Sequence, residues 1–138
     1  MAKDIYHDAA KEALTKDGWL VTHDPYDLEI ENFSTLHIDL GAEKMIAAEK
    51  GTQKIAVEIK SFIGLSQITN FYAALGKFNF YEVMLREVEA DRTLFLAIPL
   101  RAYRTFFQKD AVQKVIKEFD VHIFVYDQYK AEIVEWIK

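Results

Sequence analysis

Asp39 and the run Glu58-Ile59-Lys60 are the residues whose types and spacing suit a reaction. A carboxylate on each of two neighbouring strands, with the backbone carbonyl of Ile59 between them, offers hard oxygen donors of the kind that Mg²⁺ and Mn²⁺ prefer. Side chains alternate along a strand, so Ile55, Val57 and Ile59 share one face while Glu58 and Lys60 share the other. Lys60 then stands beside the carboxylate, near a metal-bound water, and offsets charge as a phosphate is attacked. The chemistry these residues suit is phosphodiester hydrolysis. An acid-x-Lys pair on a strand is more often a solvated ion pair, worth about 0–1 kcal/mol. Two features set this one apart: it ends a strongly apolar strand, and an aspartate stands in the strand before it. A turn centred on Gly51-Thr52 would pair Glu58 with Met45 and Lys60 with Glu43, which makes Glu43 a rival to Asp39 as the first metal carboxylate.

The elements that must hold these groups follow from periodicity. Asp4 can cap a helix over about 5–17, with Ile5, Tyr6, Ala9, Ala10, Ala13 and Leu14 at helical spacing and Gly18 to end it. Trp19 to Thr22 reads as a short strand stopped by His23-Asp24-Pro25, and 26–34 has no clear period. Apolar residues return at Ile38 and Leu40 and again over Met45 to Ala48. They break at Lys50 to Gln53 and resume at Ile55, which reads as a β-hairpin. Ser66 can cap a long helix with an apolar stripe of Ile68, Phe71, Tyr72, Leu75 and Phe78, and with Glu82 and Arg86 paired on its exposed side. Gly76 inside that helix implies close approach of another backbone. Thr93 to Ile98, ended by Pro99, reads as a central strand buried on both faces. Arg101 to Phe119 reads as one helix, and 121–126 and 133–137 as closing strands. The sum is a single α/β domain over residues 1–138, a mixed β-sheet flanked by helices.

Composition bounds the rest. The 138 residues suit one core, and with 51% apolar residues that core can be well filled. Seventeen basic against 22 acidic residues give a net charge of −5, which excludes a polycation that coats nucleic acid by bulk charge. Any phosphate contact must be local or metal-mediated. Cysteine is absent, so disulfide scaffolds, thiol nucleophiles and Cys-ligated metals are excluded, and a reducing cytoplasm is the simplest location. The start, Met1-Ala2-Lys3-Asp4, lacks an apolar leader pattern, and no stretch reaches the roughly 18 apolar residues of a membrane span. His23, His37 and His122 lack the spacing of a zinc site. Arg101 and Arg104, just beyond a strand end, are the best-placed cations for nucleic acid. The Trp136-Ile137 end, with the aromatic-rich helices, suggests an apolar patch that a second copy of the chain could cover.

With Asp39 in the first acidic position and Glu58-Ile59-Lys60 in the second, the sequence resembles the PD-(D/E)XK, restriction-endonuclease-like superfamily. Ile38 stands where that motif often has proline. Longer strings narrow the match. Asp17 to Pro25, Asp39 to Glu43, Ile55 to Phe62, Ala74-Leu75-Gly76 and Leu96 to Pro99 look like the XisH family, so the likeness spans nearly the whole chain. Members of that family are known as fdxN element excision controlling factors, cyanobacterial proteins acting beside a site-specific recombinase and a small partner, XisI, during DNA rearrangement. The resemblance therefore implies DNA, a recombinase and an XisI-like protein as partners, and Mg²⁺ or Mn²⁺ at Asp39 and Glu58 with Lys60 assisting. It equally allows a catalytically inactive module that directs the recombinase. Many superfamily members carry a glutamate in the first helix; here His7 holds that position.

Overall fold

The computed structural model describes residues 5–28, 45–64 and 66–138. The expected cap Asp4, His37, the strand around Ile38 and Leu40, and the candidate ligands Asp39 and Glu43 lie outside the described residues.

The first helix, α1 (Ile5–Lys16), leads into strand β1 (Leu20–His23) through Gly18, whose φ of +93° suits a residue without a side chain. Strands β2 (Met45–Lys50) and β3 (Gln53–Ile59) form the expected hairpin. Gly51, at φ +61°, supplies the left-handed residue of its turn, and the register sets Met45 opposite Glu58 as the two-residue turn requires. The long helix α2 (Gln67–Val88) follows, with the Ser66 hydroxyl accepting from the Thr69 amide. Strand β4 (Arg92–Pro99), helix α3 (Leu100–Arg104), a 3₁₀ turn at Phe106–Gln108, helix α4 (Asp110–Glu118) and strands β5 (Ile123–Asp127) and β6 (Glu132–Ile137) complete the chain.

The six strands form one sheet in the order β1-β2-β3-β4-β5-β6. β3, β4 and β5 run parallel, and antiparallel strands close both sides. β4 is central and almost wholly buried, because helices cover both of its faces. Ile55, Val57 and Ile59 pack with α1 residues Ala10, Ala13 and Leu14 in one core. Ala56, Leu94, Leu96 and Ile98 pack with Phe71, Phe78 and Leu85 of α2 in the other. Among the described residues no helix is long and apolar enough to cross a membrane.

Three expectations are corrected. The segment from Arg101 to Phe119 is not one helix: it breaks at Thr105 and again at Lys109, whose ψ of 136° is extended. Phe106 and Phe107 are consecutive and both buried, and a continuous helix would point them about 100° apart. The break lets both rings enter the core around Phe62 and Phe71. The buried face of α2 is Phe71, Ala74, Phe78, Tyr81 and Leu85, whereas Ile68 and Tyr72 are exposed. At Gly76 an added Cβ would meet nothing within 4 Å, so no backbone approaches it among the described residues. At the Trp136-Ile137 end, Trp136 is half-buried against Trp19, Phe95 and Phe124, while Tyr72, Phe80 and Val134 are among the exposed large apolar side chains.

Candidate functional site

Glu58 and Lys60 lie at the carboxyl end of β3, within the parallel part of the sheet, where ligands gather in α/β domains. Glu58 is 2% exposed and Lys60 8%. Burying two such groups is costly, which separates them from the solvated pairs that this spacing usually produces. Glu58 follows Ala56 on the face toward α2, and its charge reaches Tyr81 of that helix. Burial first, and that charge second, push the Tyr81 phenol up to about 12.

The chain leaving the site is anchored. The Lys60 amide donates to Ala97 O of β4 at 3.2 Å, which prolongs the parallel pairing by one residue. Two residues on, Phe62 adopts a left-handed φ of +59°, a cost of roughly 1–2 kcal/mol for a residue with a side chain. Its ring is 1% exposed and meets Phe107 edge-on at 5.1 Å, so burial offsets that strain. Arg101 closes the arrangement: its Nη2 donates to Ser61 O at 2.9 Å and Phe62 O at 3.3 Å. The guanidinium thus binds the backbone that holds Lys60. Arg104, three residues on, is exposed beside Asp127 and Tyr129.

His7 is 7% exposed, and its Nε2 lies 2.9 Å from Asp24 Oδ1. Lys11 donates to the other Asp24 oxygen, also at 2.9 Å. Burial opposes the charge on Asp24, but the bonds from Lys11 and His7 outweigh it and hold the carboxyl below its ordinary range. Because β1 pairs β2 and β2 pairs β3, Asp24, at the end of β1, lies at the same end of the sheet as Glu58. Two strand spacings, about 10 Å, separate those strands. Asp24 was legible only as a turn residue; its partners come from the helix before it.

A second charged group escaped the sequence entirely. Arg92, at the start of β4 and 6% exposed, donates to Ile55 O at 3.0 Å and Glu89 Oε2 at 2.8 Å. It stacks 5.2 Å from the Tyr26 ring centroid, and the Tyr26 hydroxyl donates to Glu89. The Arg92 bond holds the Glu89 carboxyl below its usual range, while burial and Glu89 push the Tyr26 phenol up to about 12.

The described residues contain no group of three or more His, Asp or Glu side chains able to hold a metal ion. At the end of β3 they supply the Glu58 carboxylate and the Ile59 carbonyl, hard oxygens of the kind that suit Mg²⁺ or Mn²⁺ and that a second carboxylate would complete, with the Lys60 ammonium as a neighbouring cation.

These features define a class: a single mixed α/β domain with a buried acid and a buried lysine two residues apart in sequence at the carboxyl end of β3. The sequence pattern of the XisH family (XisH protein) matches residues 1–134, and the chain belongs to that family. It is similar to an XisH family protein from Nostoc punctiforme PCC 73102, with 41% identity and a TM-score of 0.89, over 98% of this chain and 100% of that one. It is also similar to a fdxN element excision controlling factor protein from Anabaena variabilis, with 44% identity and a TM-score of 0.90, over 99% and 100% of the two chains. None of the curated proteins matches it.

Proposed function

We propose that this protein acts in controlling the excision of an fdxN-type DNA element, as a nuclease-like factor whose reactive groups are Glu58 and Lys60. The observation that carries this reading is the burial of these two groups together at the carboxyl end of β3. A structural ion pair gains little from such a place, whereas a phosphodiesterase needs a carboxylate to grip a divalent ion and a cation to face the phosphate. When bound, Mg²⁺ or Mn²⁺ supplies Lewis acidity and a water of lowered pKa. Glu58 and the Ile59 carbonyl, with Asp39 or Glu43 from the residues before β2, are the groups to hold it. Lys60 faces the charge that builds on the phosphoryl oxygens, and the Arg101 clamp on Ser61 and Phe62 keeps it in position. Arg104 and the DNA backbone, a site-specific recombinase, an XisI-like small protein and a second copy of the chain are the contacts this role calls for.

Cleavage of plasmid and branched DNA with Mn²⁺ tests the reading. The wild-type chain should cut, while Glu58→Gln and Lys60→Ala should fall to background at a temperature where melting shows both variants still folded. Equal background in all three proteins would remove the enzymatic reading.

A second reading is favoured by His7, which occupies the place of the superfamily's helix acid and is engaged with Asp24. In it the protein keeps the nuclease-like domain and directs the recombinase by binding alone. DNA or XisI-like binding that persists in EDTA and in Lys60→Ala, without cleavage, is the result that selects it.

A further inference from the structure

At the opposite end of β3 the sheet opens into a cleft of about 580 Å³, within the range of small-molecule sites. Its floor is Ile55, Thr93 and Phe95, on the face of the sheet toward α1, whereas Glu58 faces α2. From Lys54 to Lys60 is six residues of strand, about 20 Å, so the cleft is separate from the proposed reactive pair. Both tryptophans of the chain line it, with ring centroids 5.8 Å apart: Trp19 is 7% exposed, and half-buried Trp136 presents the more open ring of this wall.

The rim is basic in an acidic protein. Lys50, Lys54 and Lys138 line the cleft against Asp17 and Asp91, although the whole chain carries a net charge of −5. Lys50 and Lys138 each hold their ammonium group 5.9 Å from a tryptophan centroid, and Lys54 lies 3.3 Å from exposed Asp91. His122 stands on the wall, partly exposed, and its Nδ1 has no hydrogen-bond partner among the described residues. An occupant with a polar edge gives that nitrogen a partner once the ring turns.

We propose that this cleft binds a nucleobase carrying a phosphate, the base against the tryptophan wall and the phosphate among the lysines. That chemistry comes either from a free nucleotide or from an unpaired base of a DNA strand. A base within a duplex is stacked on both faces and paired at its edge, so an unpaired base is the one free to lie against the tryptophan wall. The site goes beyond the hydrolytic reading and does not depend on it.

Because no tryptophan lies elsewhere in the chain, intrinsic tryptophan emission reports this cleft and no other place. The full-length protein is titrated in EDTA with deoxyadenosine monophosphate, with a single-stranded oligothymidylate and with a duplex of the same length. A saturable change with the mononucleotide or the single strand, absent or at least tenfold weaker with the duplex, is expected. Equal response to both single-stranded probes assigns the cleft to free nucleotides, and a response to the strand well beyond the mononucleotide assigns it to unpaired DNA. Lys54→Glu/Lys138→Glu should weaken binding about tenfold, and Thr93→Phe, which fills the floor of the cleft, should abolish it. The same response in Glu58→Gln keeps this result separate from cleavage. No saturable change with any probe, or a change that survives both cleft variants, overturns the proposal.

Discussion

The two ends of the β3/β4 pair bury charge in different ways. At the amino end, Arg92 gathers Tyr26, Glu89 and the Ile55 carbonyl, with Glu49 3.9 Å away, so its partners come from four separate segments. At the carboxyl end, Glu58 and Lys60 come from one strand, two residues apart, under Tyr81 and behind the Arg101 clamp. The first is a knot that ties the start of β4 to the end of α2. The second sets its charges side by side along one strand at the end where such domains place ligands, and its anchoring bonds fall on the backbone next to them. The first arrangement suits stability, the second presentation to a substrate.

Changes at each end should therefore register in different measurements. The largest effect on stability is expected from Arg92→Met, which removes the buried guanidinium and its bonds to half-buried Glu89 and to Ile55 O and should cost about 1.5–3 kcal/mol. Thermal melting should fall steeply, while cleavage per folded molecule should not change; a change in cleavage alone would erase the distinction. Lys60→Ala should register in activity instead, lowering Mn²⁺-dependent cleavage by roughly 10²- to 10³-fold per folded molecule, beyond any fall in melting temperature from leaving Glu58 buried without the amine. Arg101→Ala should fall between them, with cleavage reduced about tenfold because the segment after Lys60 loses its tether. If Arg101→Ala instead lowers only DNA affinity, the residue contacts DNA directly.

Acid should act through one carboxyl at each end, Glu89 in the knot and Asp24 beside His7 and Lys11. Glu89 and Asp24 both have folded pKa values below their ordinary values. The stability they add is present above about pH 4 and is lost as pH falls through the lower folded values. Melting temperature followed from pH 6 to pH 3 should drop, and Glu89→Gln or Asp24→Asn should each flatten that slope. The smallest effect is the control. Gly76→Ala, on the open side of the helix that carries Tyr81 and ends at Glu89, should stabilise by roughly 0.5–1 kcal/mol and leave cleavage unchanged.

What could be read in advance follows the same division. The hairpin register was legible because a two-residue turn at Gly51-Thr52 leaves one pairing, and it put Glu58 opposite Met45 as observed. Ser66 announced α2, since its hydroxyl serves a local amide. The acid-x-Lys motif was visible because both residues lie on one strand. Arg92, Asp24 and the tryptophan cleft were not, because each is assembled from segments whose separation in sequence carries no spacing rule. Tyr26 and Glu89, for example, are 63 residues apart. Phe106 and Phe107 misled for another reason: side-chain burial overrode helix periodicity. The exposed Gly76 shows that a glycine in a helix need not mark close packing.

The bond from the Lys60 amide to Ala97 O has a consequence for the birth of the molecule. The donor is made 37 residues before its acceptor, and the clamping Arg101 comes later still. While the chain is being synthesised, the acid and the lysine therefore exist for some time without the strand that fixes them. Parallel pairing across a whole intervening helix is slow to close compared with a hairpin. Whatever reactivity this end of the sheet carries is thus withheld from a half-made chain and switched on by completion of the centre.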